Sequence, residues 1–222
     1  DLEGYKLTTN ENTPNENALW SSCLDNNINL LIGDPGSGKS VLMKSFKNKC
    51  PPKYWTVIIN PQDVNLLLHD LSKSANYADL SEKIISNEKH RLRSELDKNL
   101  FETCVEIKTV VFVWDAIDEI LSENLDFVMN LILQLSRRGF LQWVTSRRYI
   151  KTSLENTFSL LALSMKCFSE DEQRHYFRKR LNTFISADKT EVTIEKIKSS
   201  FATVEHVDIL GIPLQIFMLT EL

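Results

Sequence analysis

Hydrophobic positions along the chain alternate between two rhythms. Short apolar runs at Ile28–Ile32, Tyr54–Ile59, Lys108–Asp115, Phe140–Thr145 and Phe158–Leu163 predict five strands. Between them, apolar residues recur at helical intervals. Val41, Leu42 and Phe46 mark a short helix that ends before Pro51-Pro52. Asp79 and Glu82 have the spacing of a capping box, and Leu80, Ile84, Ile85, Leu92, Leu96 and Leu100 continue from it as one long helix with a charged outer face. Leu125, Val128, Met129, Ile132, Leu133 and Leu135 predict another helix, stopped by Gly139. Residues 61 to 76 are less regular, with a leucine cluster at Leu66 to Leu68. The third run is apolar at consecutive positions, so both its faces must be covered, as in a parallel sheet between helices. Strands alternating with helices predict an α/β fold with right-handed crossovers.

The two ends break this rhythm. Residues 1 to 17 are polar, with Pro14 in the middle, and read either as an extended arm or as a linker; Ala18 to Leu24 fit a short helix leading into the first strand. Beyond about residue 166 the spacing is helical throughout. Ser169 and Glu172 form a second capping box, and Tyr176, Phe177, Leu181, Phe184 and Ile185 share one helical face. Further helical segments cover about 189 to 201 and 212 to 222, the last opened by Pro213 at a tolerated early position. The expected organisation is an arm over residues 1–26, an α/β domain over 27–165 and a small helical subdomain over 166–222.

Composition adds mainly exclusions. The 222 residues are 42% apolar, enough for a real core, and 26 basic against 30 acidic residues leave a formal charge of −4. No global positive field is present to gather nucleic acid or an anionic membrane. Cys23, Cys50, Cys104 and Cys167 are far apart and form no CxxC pair, and the four histidines are equally scattered, without metal-ligand spacing. Reduced thiols in a cytoplasmic protein are expected. No apolar run approaches the roughly 20 residues of a membrane span. The chain opens with Asp1 rather than Met and stops at Leu222 within an apolar pattern, so a piece of a longer protein is expected.

Chemistry concentrates after the first run. Gly33-Asp34-Pro35-Gly36-Ser37-Gly38-Lys39-Ser40 matches GxxxxGK[ST] and lies between a strand and a helix start. Its glycines let successive backbone N–H groups turn inward around a phosphate, and the helix adds its own N-terminal donors and dipole. Lys39 is then placed to reach the β- and γ-phosphates and the Ser40 hydroxyl to take one position on Mg²⁺. The third strand ends in Asp115, at the edge where parallel α/β sheets bind ligands. Asp115 therefore fits a metal-holding acid, and Asp118 or Glu119, within the next turn, an acid that polarises the attacking water. The fourth strand ends in Thr145-Ser146-Arg147-Arg148, where a polar residue and an arginine can sense a γ-phosphate.

Together these residues resemble the NACHT class of STAND NTPases, the ASCE/AAA+-like P-loop signalling ATPases of innate immunity and apoptosis. The resemblance rests on Gly33 to Ser40, Asp115-Ala116-Ile117-Asp118-Glu119, Thr145-Ser146-Arg147, Phe168 to Glu172 and Gly211-Ile212-Pro213-Leu214, and runs from about residue 27 to the end. It implies a five-stranded parallel sheet in the order 5-1-4-3-2 followed by the first helical subdomain. Gly33, Pro35, Gly36, Ser37, Gly38, Lys39, Ser40 and Val41 would bind ATP or ADP, with Pro213 packing on the adenine. Ser40 and Asp115 would hold Mg²⁺, Asp118 or Glu119 would position water, and Arg147 would read the γ-phosphate. Ala116 stands where the family most often has Gly, and the winged-helix subdomain with its ADP-contacting histidine is absent from the sequence.

The implied function is a slowly hydrolysing, nucleotide-controlled switch whose self-association clusters effector and sensor domains of a longer protein. The alternatives are a catalytically working AAA+-like remodelling ATPase, a small-molecule kinase, or a nucleotide-binding scaffold without hydrolysis. A motor would require a trans arginine, for which Arg137, Arg138 and Arg148 are candidates. A guanine-specific site is disfavoured, because no NKxD sequence occurs.

Overall fold

Side-chain alternation along the strands decides what covers each face of the sheet. In the computed structural model, which describes residues 7–8, 20, 26–70, 77–201 and 210–220, six strands form one sheet. They are β1 (Leu7–Thr8), β2 (Ile28–Ile32), β3 (Trp55–Ile59), β4 (Val110–Trp114), β5 (Leu141–Ser146) and β6 (Leu163–Met165), in the order β1-β6-β2-β5-β4-β3. The last five pair in parallel, giving the 5-1-4-3-2 arrangement expected from the sequence. The helices are α1 (Lys39–Asn48), α2 (Pro61–Asp70), α3 (Tyr77–Arg91), α4 (Glu95–Glu106), α5 (Ser122–Arg137), α6 (Lys151–Phe158), α7 (Glu170–Leu181), α8 (Ala187–Phe201) and α9 (Pro213–Leu219).

One set of alternating residues, including Leu30, Ile32, Phe112, Trp114 and Val144, packs against Leu80, Phe101, Val128, Ile132 and Leu154 of α3 to α6. The opposite set, Leu31, Val111, Val113 and Trp143, packs against Leu42, Met43 and Phe46 of α1 and against Trp20. All five residues of β4 are buried, as a strand covered on both faces requires. The buried Gln142 amide ties the layers together. Its Oε1 accepts from Trp114 Nε1 at 3.0 Å and its Nε2 donates to the Ile132 carbonyl at 2.8 Å, so no polar atom of that amide is buried unpaired. Beyond β6, Phe168, Phe177, Leu181, Ile194 and Ile216 make a separate cluster among α7, α8 and α9. The Ser169–Glu172 capping box is present at the start of α7.

Several expectations are corrected or refined: Asp79 is the third residue of α3, which begins at Tyr77, and so does not cap it. The long helix over Leu80 to Leu100 is two helices: α4 has its own N-cap in Ser94, whose hydroxyl accepts from the Asp97 N–H at 3.0 Å. Leu96 and Leu100 continue the helical spacing but point outward, 68% and 49% exposed. The fifth strand is not Phe158–Leu163. Phe158 ends α6, burying its ring in the core, and pairing begins only at Leu163, where β6 reaches Leu31 and Ile32 of β2. Residues 61–70 are helical, with Pro61 as the first residue, where a missing N–H costs nothing. The polar arm contributes an edge strand, with Leu7 opposite Met165 and Thr8 opposite Ser164 in antiparallel register. Trp20, from the segment expected to be helical, is helical and stacks on Phe46 with ring centroids 4.0 Å apart. The rest of the arm lies outside the described residues.

Candidate functional site

At the carboxyl ends of β2, β4 and β5 the backbone turns from sheet to loop, and the residues singled out by the sequence meet there. The Gly33 N–H donates to the Ser146 carbonyl at 3.1 Å, extending the β2–β5 ladder by one bond into the glycine loop. The Ser37 N–H closes a turn onto the Asp34 carbonyl at 3.1 Å. Gly36 and Gly38 take φ of 76° and 94°, left-handed conformations that cost a side chain about 1–2 kcal/mol. Gly38 is also the N-cap of α1, so the first donors of that helix open onto the loop. The Ser37 hydroxyl is buried without a hydrogen-bond partner.

Lys39 is the first residue of α1. Its ammonium donates to the Gly33 carbonyl at 2.6 Å and the Asp34 carbonyl at 3.1 Å. Burial pushes its pKa below the ordinary lysine value, and the field of Asp118 opposes that shift, with Arg147, Asp115 and Asp34 also acting on it. Lys39 and Asp115 therefore sit at the same end of the sheet.

The segment after β5 organises the acids. The Thr145 hydroxyl donates to Asp115 Oδ1 at 2.8 Å and accepts from the Ala116 N–H at 2.8 Å. The Ser146 hydroxyl donates to Asp118 Oδ1 at 3.1 Å, as does the Arg147 backbone N–H. The Arg147 guanidinium spans both acids, with Nε 3.2 Å from Asp118 Oδ2 and Nη2 3.0 Å from Glu119 Oε1. Arg148 reaches back to the glycine loop, Nη2 to Asp34 Oδ2 at 2.9 Å, and the Tyr149 hydroxyl donates to the Asp118 carbonyl at 2.9 Å. Burial, reinforced by the nearby Asp118 carboxylate, raises the Tyr149 pKa. Five consecutive residues thus hold one loop and three carboxylates. Sequence spacing singled out Thr145, Ser146 and Arg147; the Asp34–Arg148 pair and the Tyr149 contact were not visible in it, because neither has a local signature.

A cleft of about 1260 Å³ opens above these groups, larger than the roughly 300–1,000 Å³ of ordinary small-molecule pockets. Pro35, Gly36, Gly38, Lys39, Ser40 and Val41 line one side, together with Ala116, Asp118, Glu119 and Arg147. The other side comes from α7 and α9, including Tyr176 and Pro213. Gly33, Ser37 and Asp115 are not on the cleft wall. The start of α9 touches the glycine loop directly. The Leu214 N–H lies 3.3 Å from the Gly36 carbonyl, and a Cβ on Gly36 would stand 2.9 Å from that of Leu214. This contact was not read from the sequence, where the two residues are 178 positions apart.

The donor set fits a polyphosphate with a hard cation. The left-handed Gly36 and Gly38, the N-terminal N–H groups of α1 and a buried ammonium suit phosphate oxygens. Among the described residues no group of three or more His, Cys, Asp or Glu side chains could hold a metal alone. A magnesium ion here would thus depend on Ser40, Asp115 and the phosphates themselves, the usual pattern for that ion. Among the described residues no helix is long and apolar enough to cross a membrane.

No family model matches the chain, and no curated protein matches it. Solved structures do. The Walker-type ATPase PABY2304 of Pyrococcus abyssi superposes with a TM-score of 0.55 at 15% identity, over 93% of this chain and 65% of that one. The Drosophila ORC, in a structure bound to DNA, superposes with a TM-score of 0.51 at 14% identity, over 94% of this chain and 60% of that one. This chain spans less than two thirds of either. At these identities the likeness is one of fold, and the fold is that of the P-loop NTPases.

Proposed function

We propose that the chain binds ATP and ADP with Mg²⁺ and hydrolyses ATP slowly, as the switch that controls self-association of a larger NACHT-type signalling protein. The observation that carries this reading is the convergence, in one cleft, of the Lys39 loop, the Asp118–Glu119 pair and Arg147, with Pro213 on the facing wall. In it, residues 27–165 form the nucleotide-binding unit and residues 166–222 a helical unit. Lys39 and the α1 donors hold the β- and γ-phosphates, Val41 and Pro213 flank the base, and Arg147 reads the terminal phosphate. Mg²⁺, held through Ser40 and Asp115, would supply charge neutralisation between the β- and γ-phosphates. Thr145 keeps the Asp115 carboxylate aimed, and an acid after β4 takes a proton from the attacking water.

The contact of Leu214 with Gly36 supports the switch reading in particular. A helix outside the sheet rests on the loop that would clasp phosphate, so loop geometry and the position of α9 are not independent. A nucleotide shifts an equilibrium only through its different affinity for two states, and this contact is a place where such a difference can arise. The test is the mass in solution of the full-length protein with Mg–ATP and with Mg–ADP. A larger assembly with ATP is the expected result. Equal masses and equal domain arrangements would overturn the switch, and steady-state turnover above about 1 s⁻¹ would favour a working ATPase instead.

A further inference from the structure

Building on the nucleotide reading, we infer that Asp118 is a positioning residue that grips Nε of Arg147, while Glu119 competes with a terminal phosphate for Nη2 of the same guanidinium. The two acids are adjacent in sequence and opposite in environment. The Asp118 side chain is 1% exposed. Its Oδ1 is taken by the Ser146 hydroxyl and the Arg147 N–H, its carbonyl by the Tyr149 hydroxyl, and its Oδ2 faces Arg147 Nε. That last contact is an ion pair without hydrogen-bond alignment, and Oδ2 is buried. A carboxylate enclosed in this way has no open side on which to order water.

Glu119 is the reverse case. Its side chain is 54% exposed and meets Arg147 Nη2 at 3.0 Å, and the residue lines the same cleft as Lys39. A guanidinium has five N–H donors on three nitrogens in a rigid fork, so Nη2 can exchange partners while Nε stays held. Exposed ion pairs are weak, whereas breaking a buried one strands a charge. Exchange therefore occurs at the Nη2–Glu119 contact. A γ-phosphate draws Nη2 off Glu119 while Nε remains against Asp118. ADP has no such phosphate and leaves the Glu119 pair in place.

The device releases the open carboxylate only when a triphosphate is seated. Glu119 then accepts a proton from water as the water oxygen bonds the γ-phosphorus, and the bridging oxygen leaves with ADP. Asp118 never touches the water; it acts through Arg147.

Calorimetric titration of Mg–ATP and Mg–ADP against the wild-type chain and its variants tests this division. Glu119→Gln removes the competitor, so ATP should bind about two- to fivefold more tightly, the size of an exposed pair, with ADP unchanged. Arg147→Ala and Asp118→Asn should each weaken ATP about tenfold and spare ADP, and the double variant should lose no more than either single one. Arg147→Lys keeps the charge but lacks Nε, so it should behave like Asp118→Asn and supplies the same reading if that variant does not fold. Weaker ATP binding by Glu119→Gln, or additive losses for Asp118→Asn and Arg147→Ala, would overturn the inference. If the folded wild-type chain takes up neither nucleotide, the proposed function falls and this inference with it. If it takes up both and the ATP-to-ADP ratio is the same in every variant, this inference alone falls.

Discussion

Thr145→Val is the sharpest probe of how the acids are held, because it deletes one hydroxyl and almost no volume. Thr145 is fully buried, and its hydroxyl serves Asp115 Oδ1 and the Ala116 N–H, both at 2.8 Å. The valine loses a hydrogen bond to a charged acceptor, worth about 1.5–3 kcal/mol. It also leaves a backbone N–H without its acceptor, costing about 1–3 kcal/mol. Asp115 is half-buried, so water recovers part of the first term, and a total near 3 kcal/mol is expected. For a chain of this length that corresponds to a fall in Tm of about 6–12 °C. Urea unfolding followed by circular dichroism measures the first quantity and a thermal scan the second. Thr145→Ser, which keeps the hydroxyl, should recover most of the loss. A valine variant within about 1 kcal/mol of wild type, with unchanged nucleotide affinity, would refute the idea that Thr145 orders the β4 tip.

Three other substitutions address neighbouring parts of the site. Ala116 has φ 57° and ψ 54°, so Ala116→Gly relieves a left-handed penalty of about 1–2 kcal/mol, offset by roughly 0.4–1 kcal/mol of unfolded-state entropy. A net gain of about 0.5–1 kcal/mol in urea unfolding is expected. Gly36→Ala introduces both left-handed strain and a Cβ 2.9 Å from that of Leu214, and should destabilise by roughly 2–4 kcal/mol. Adding Leu214→Gly, which removes that Cβ, should restore most of the crowding part but not the backbone part, which a double-mutant cycle would separate. Pro213→Ala should weaken ATP and ADP to the same extent in calorimetry, since contacts to a base are common to both; a loss confined to ATP would contradict the placement of Pro213.

The strand positions were largely legible because buried parallel strands must be continuously apolar, and the glycine loop because its backbone demands specific residues. The errors came where the same signals carry a different meaning. The apolar run Leu160-Leu161-Ala162 reads as strand, yet Leu161 is 90% exposed and the Ala162 N–H is taken by Glu155 Oε1 at 2.9 Å. Helical spacing ran on through Leu92, Leu96 and Leu100, and only the Ser94 cap reveals the break between α3 and α4. β1 is two residues long and pairs with residues more than 150 positions away, so no local pattern marks it. In the site, the residue types were readable and the division between Asp118 and Glu119 was not, because it depends on burial set by β5 and the residues after it.

The central claim is that a triphosphate and its magnesium are held between the glycine turn after β2 and the acidic tip of β4. Titrating Mg–ATP into the folded wild-type chain and the folded Lys39→Ala variant in a calorimeter tests it most directly. Saturable uptake at one site by the wild type, abolished in the variant, is the expected result. Well-folded wild-type protein that takes up no adenine nucleotide, or a variant that binds ATP as wild type does, would contradict it.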